Sequence, residues 1–169
     1  MSIFKKKKRK QAPAIEEAIN DILRDDALNN ALDFAAFLRT NDFLPVWHDS
    51  GDGWSIMRAD EGIGFIVVNR VEKWGIKPRS WTVFFNSCDF DGDAPANDDL
   101  KEIAWTHLNI CGHYLSGGKR CGCGNQPGRR DTIFGKECEH LCHSPLAFTN
   151  PDAQTVEHMK KLMLLLKKN

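Results

Sequence analysis

The order of hydrophobic patterns along the chain predicts an α+β fold: N-terminal helices, an antiparallel sheet of about four strands, a helix, a Cys/Gly-rich loop and a C-terminal helix. Three observations carry this expectation. Apolar residues recur at spacings of three and four in the first forty residues and again in two later segments. Short β-rich runs separated by turn residues occupy the stretch between Phe43 and Asn86. Helical and strand patterns are segregated along the chain rather than alternating, which argues against βαβ units and a parallel sheet.

The elements follow in order. Ile15, Ala18, Ile19, Ile22 and Leu23 form one helical face, which Arg24, Asp25 and Asp26 interrupt. A second helix carries Leu28, Ala31, Leu32, Ala35 and Leu38 inward and stops near Asn41. Phe43 to His48 reads as a strand, and Pro45 assigns it to a sheet edge because proline donates no ladder hydrogen bond. Turn residues then separate the strands Trp54 to Arg58 and Ile63 to Asn69. Ser80 to Asn86 is apolar on both faces and is expected to be the most buried strand. Asn97 caps a predicted helix from Asp98 to Asn109, whose first-turn acids suit the positive end of the helix dipole. The last helix begins at Asn150-Pro151-Asp152, with proline expected in the first helical position, and buries Val156, Met159, Leu162, Met163 and Leu166.

Charge and length limit the classes of function. Lys plus Arg and Asp plus Glu both number 23, so there is no global field to attract nucleic acid or lipid. The 169 residues suit one domain, expected over residues 13–169, with residues 1–12 as a disordered basic tail built on Lys5 to Lys10. No apolar run reaches the length a bilayer requires, and no secretory signal follows the N-terminal lysines, so a cytoplasmic location is expected.

The segment from Cys111 to His143 stands out. It holds Cys111, Cys121, Cys123, Cys138 and Cys142, together with His113, His140 and His143, and is rich in glycine. Its apolar content is too low to order it by burial alone, and each glycine adds to the entropy lost on ordering. Zinc prefers four tetrahedral ligands and accepts thiolate, so a structural zinc site is predicted here. The spacing C-x9-C-x-C-x14-C-x3-C lacks the paired knuckles of a zinc ribbon. Two competing readings are reduced cysteines packed as small hydrophobes, and reactive thiols activated by Lys119, Arg120, Arg129 and Arg130.

Several stretches resemble a group of small uncharacterised bacterial proteins: Trp81 to Cys88, LKEIAWTHLNIC, PGRRDTIFGKE, HLC and NPDAQTVEHMKKLMLLLK. The resemblance covers roughly residues 26–168. It implies a helix and sheet followed by a glycine-rich cysteine segment, a triplet like Gly135-Lys136-Glu137 and a capped last helix, with no established activity. It also implies an aromatic residue where Cys138 stands, which favours Cys111, Cys121, Cys123 and Cys142 as metal ligands, with His113 and Cys138 in reserve.

Other features suggest contacts. Trp54 and Trp74 flank turns and are candidates for touching a small molecule, whereas Trp81 and Trp105 are expected in the core. Lys119, Arg120, Arg129 and Arg130, with the basic tail, are candidates for touching a polyanion such as nucleic acid. His107 is expected to be a hydrogen-bonded core residue. Asp89 to Asp93 lacks the glycine and glutamate of a calcium loop, and the stretch ending Gly117 to Arg120 fails as a phosphate loop because His113 stands where its first glycine belongs and Arg120 replaces the magnesium-binding hydroxyl. The expected role is therefore a non-enzymatic binding domain for a small molecule or protein, stapled by zinc. The alternatives are nucleic-acid association and a thiol-dependent redox enzyme.

Overall fold

The computed structural model describes residues 13–48, 53–72, 77–90, 97–117 and 128–167. The chain opens with helix α1 (Ile15–Ile22), then α2 (Asp25–Thr40), and continues into strands β1 (Phe43–His48), β2 (Gly53–Arg58), β3 (Glu61–Asn69) and β4 (Ser80–Phe85). Helix α3 (Asp98–Thr106) leads to strand β5 (Leu108–Ile110) and the single turn α4 (Gly112–Leu115). A hairpin of β6 (Arg129–Ile133) and the long β7 (Lys136–Thr149) precedes helix α5 (Ala153–Leu165). The sheet thus has seven strands rather than about four, in the order β1-β2-β3-β4-β7-β5 with β6 also paired to β7.

All of these pairings are antiparallel. β1 is an edge strand, as Pro45 requires. Leu146 of β7 is opposite both Phe85 of β4 and Leu108 of β5, and Leu141 is opposite both Ile110 of β5 and Arg129 of β6. A strand has two hydrogen-bonding edges, so β4 and β6 share one edge of β7 and β5 takes the other.

Local chemistry sets the element ends. The Asn97 side chain accepts from the Leu100 N–H at 3.0 Å and starts α3. The Asp152 side chain accepts from the Thr155 N–H at 2.7 Å and caps α5, so Pro151 precedes the cap instead of occupying the first helical position. That capping bond, made to the carboxylate, holds the Asp152 carboxyl below its usual range. The predicted helix from Asp98 to Asn109 stops at His107, where the chain turns to pair as β5.

Helices α1, α2, α3 and α5 pack on one face of the sheet. Ile15, Ile19, Phe34, Leu38, Val156, Met159 and Leu162 meet Ile56, Ile66, Trp81, Val83, Phe85, Leu146 and Phe148 in one cluster. The stripes expected from helical spacing are therefore the buried ones. His107 is half-buried rather than a core residue, with Nδ1 2.9 Å from the Ile103 carbonyl and its ring stacked on Phe148 at 4.5 Å. Trp81 is buried, and Trp105 donates from Nε1 to the Ile133 carbonyl at 2.9 Å.

Phe148 is fully buried between β4 and the helices, whereas Leu44 on the edge strand is 58% exposed. Phe148→Ala is expected to lower unfolding stability by about 3–5 kcal/mol. Leu44→Ala should stay within about 0.5 kcal/mol of the parent. Urea unfolding followed by circular dichroism distinguishes the two, and equal losses would contradict this placement of the core.

Candidate functional site

The face of the sheet opposite the helices carries the candidate site. Directly paired residues in antiparallel strands point to the same side, so the register defines a row across that face: Val46, Ser55, Phe65, Phe84 and Ala147. The neighbouring row is His48, Gly53, Val67, Thr82 and Thr149, in which the Thr82 and Thr149 hydroxyls share a hydrogen bond of 3.0 Å. Helices α1, α2, α3 and α5 belong to the other face, and Leu44 and Val46 at the β1 edge are exposed.

Small residues carve a hollow into this face. A Cβ on Gly53 would sit 2.7 Å from Cζ of Phe65, so the Phe65 ring leans over Gly53. Gly64, opposite Ile56 and Phe85, has its missing side chain on the helix-side face, where a Cβ would sit 2.7 Å from the Phe84 carbonyl oxygen, and it lines the cleft through its backbone alone. Ser55, the cross-strand partner of Phe65, is also small. The result is a cleft of about 420 Å³ lined by His48, Ser55, Gly64, Phe65, Phe84, Asn86, Asn109, Cys142, His143 and Ser144.

Its rim is polar and braced. His48 stands edge-on to Phe65, with ring centres 6.3 Å apart and planes at 85°. The Ser144 hydroxyl lies 3.1 Å from Asn86 Oδ1, and Asn86 Nδ2 donates to the Gly62 carbonyl at 3.1 Å. Asn109 Nδ2 donates to the Ser144 carbonyl at 2.8 Å, tying β5 to β7 at the cleft wall. These bonds hold the amides in fixed orientations.

The predicted zinc site is overturned. Among the described residues there is no group of three or more His, Cys, Asp or Glu side chains that could hold a metal ion. Cys121 and Cys123 lie outside the described residues. β7 kinks between Cys138 and Cys142, where His140 takes φ 58° and the pairing with both neighbours shifts register. Gly128 presses on that kink, because a Cβ there would be 2.6 Å from the His140 carbonyl carbon, and Tyr114 stacks on the His140 ring at 3.6 Å. Cys138 consequently enters the helix-side core, while Cys142 lines the cleft on the other face. Cys111 is wholly buried at the start of α4, its N–H donating to the His140 carbonyl at 2.7 Å, and His113 lies on that same short turn.

The described residues 128–143 of the segment are ordered by strand pairing. β6 and β7 form a hairpin through Phe134-Gly135, both with positive φ, as a tight two-residue connection requires. Phe134 stacks on Phe90 at 4.6 Å.

Cys88, outside the predicted ligand set, marks a second polar cluster. Its thiol donates to Asp131 Oδ2 at 3.2 Å, and Arg129 Nη2 lies 3.4 Å from the same oxygen. Burial first, then the hydrogen bond to Asp131, pushes the Cys88 thiol up to about 12. Burial also raises Cys138. Both thiols are held in the protonated, unreactive form.

The remaining candidates are placed as follows. Trp54 is buried; its Nε1 donates to the Pro13 carbonyl at 3.1 Å and its ring meets Trp47 edge-on at 4.8 Å. It contributes to a second groove of about 320 Å³ beside α1, rimmed by the Arg70–Asp21 ion pair. Arg129 pairs with Asp131 and Arg130 with Glu139, so each shares its charge with a carboxylate. Trp74, Lys119 and Arg120 lie outside the described residues, as does the basic tail. Among the described residues no helix is long and apolar enough to cross a membrane.

No family model, no curated protein and no solved structure matches the chain. Function therefore has to be argued from the geometry of the site.

Two measurements follow from the thiol environments. Among the four described cysteines, Cys142 is the half-buried one. It should be alkylated by iodoacetamide in the native protein well before Cys88, Cys111 and Cys138, as read by peptide mass spectrometry. Native Cys88 reacting as fast as Cys142 would contradict its burial. Because the folded protein raises Cys88 from an ordinary value of 9.0 to about 12, the stability that depends on its neutral thiol is intact below about pH 9. That stability falls as pH rises toward about 12. Cys88→Ala should flatten the alkaline decline of the urea midpoint, and an unchanged slope would remove Cys88 as its source.

Proposed function

We propose that the protein is a binding module that takes a small, partly apolar molecule into the cleft on the open face of its sheet. The observation that carries this reading is the hollow itself. Ser55 is small where a sheet ordinarily presents a bulky side chain, the Phe65 ring is drawn aside onto Gly53, and the space left is framed by Phe65, Phe84 and a hydrogen-bonded polar rim. A volume of about 420 Å³ falls within the usual range of small-molecule sites, about 300–1,000 Å³. An apolar floor with a few oriented polar groups is the general composition of such sites.

The reading stays with binding. Cys142, His48 and His143 line the cleft, but nucleophilic catalysis needs a histidine within hydrogen-bond reach of the thiol and oriented by a third group, and the hollow by itself supports binding. The paired states of Arg129 and Arg130 supply no argument for a polyanion partner.

Indole and phenol serve as probes. Each should shift amide resonances of Ser55, Phe65 and Ser144 in heteronuclear NMR titrations of the full chain. Ser55→Leu, which fills the hollow with an apolar side chain on a strand, should weaken that binding at least about tenfold, the effect of roughly 1.4 kcal/mol. Leu44→Ala, away from the cleft lining, should leave it unchanged. Binding of both probes to Ser55→Leu at parent affinity would end this reading.

A further inference from the structure

Resting on the cleft as a small-molecule site, we propose that its ligand class is a neutral, flat aromatic ring bearing an N–H donor at one edge, as in an aromatic carboxamide or an N–H heteroaromatic. Three independent features select this chemistry.

The first is charge. Among the described residues that line the cleft there is no Asp, Glu, Lys or Arg. A ligand with a full charge would surrender hydration there without gaining an opposite fixed charge, which disfavours carboxylates and ammonium groups relative to neutral molecules of the same shape.

The second is shape. Phe65 and Phe84 are direct cross-strand partners, yet the Phe65 ring leans across Gly53, and His48 stands edge-on to it. The space over Ser55 and Gly64 is therefore bounded by aromatic surfaces at an angle to one another. A planar ring meets both with face and edge contacts, which are more favourable than the contacts of a saturated ring of equal size.

The third is hydrogen bonding. Both ends of the Asn86 amide are engaged, Oδ1 with Ser144 and Nδ2 with Gly62. Asn109 commits Nδ2 to the Ser144 carbonyl, which orients its Oδ1 as a fixed acceptor on the cleft wall. An acceptor held in this way is complementary to an N–H on the ligand and not to a carbonyl or ether oxygen.

The test is a set of four NMR titrations of the full chain with benzamide, N,N-dimethylbenzamide, benzoate and cyclohexanecarboxamide. Benzamide should bind most tightly, with the other three each weaker by about fivefold or more, the scale of one net hydrogen bond or of a lost aromatic contact. Asn109→Ala should bring benzamide and N,N-dimethylbenzamide to equal affinity while both still shift Phe65 and Ser55. If that variant does not fold, the comparison of the two amides on the parent chain decides the same point. Benzoate or cyclohexanecarboxamide binding the cleft as tightly as benzamide would overturn the ligand class and leave the cleft as a site. Shifts of cleft residues by none of the four would overturn both.

Discussion

β7 is the strand on which the rest of the molecule depends. It is fourteen residues long, bonds to β4 and β6 along one edge and to β5 along the other, and leads directly into the last helix. Each pairing satisfies backbone groups that would otherwise be buried without partners. Leu141, Leu146 and Phe148 are wholly buried, so the same strand joins the hydrogen-bond ladder to the hydrophobic core. Without it, β4 would end as an exposed edge and the segment from Cys111 onward would have no frame to pair with.

The kink at His140 converts that strand from a uniform ladder into one that serves both faces. A strand with regular alternation would send Cys138, His140 and Cys142 to the same side. The left-handed conformation at His140 changes the phase, so Cys138 joins the core and Cys142 reaches the open face. Tyr114 stacked on His140 and the bare backbone of Gly128 against it hold the kink from both directions. The cleft wall at Cys142, His143 and Ser144 is a consequence of this change of phase, and the same change places Cys138 and Cys142 on opposite faces.

The open face also shows how a sheet can hold a cavity without a helix to close it. The hollow comes from a small side chain and a displaced ring: Ser55 where a larger side chain would pack, with Phe65 drawn aside onto Gly53. The Ser144 hydroxyl donating to Asn86, and Asn109 donating to the Ser144 carbonyl of β7, then brace the rim. A preformed site of this kind binds without the entropy cost of ordering loops around its ligand.

The helical stripes of α1, α2 and α5, the edge position imposed by Pro45, the cap at Asn97 and the first four strands were all legible in residue order, because each rests on a local rule of spacing, backbone donors or turn chemistry. β5, β6 and β7 were not. Their apolar residues are sparse, and the His140 kink breaks the alternation that identifies a strand, so the segment resembled a loop needing a metal. The cleft was hidden for a related reason: Ser55, Phe65 and Phe84 are separated along the chain and become neighbours only through strand register. Small residues inside β2 and β3 were the available signal, since glycine in a strand marks a bulge or a close approach. Periodicity and composition act over a few residues and can name the elements. Which cysteine faces which side, and where a hollow opens, depends on pairings between residues far apart in sequence and on one reversed backbone angle, and these are settled when the strands assemble.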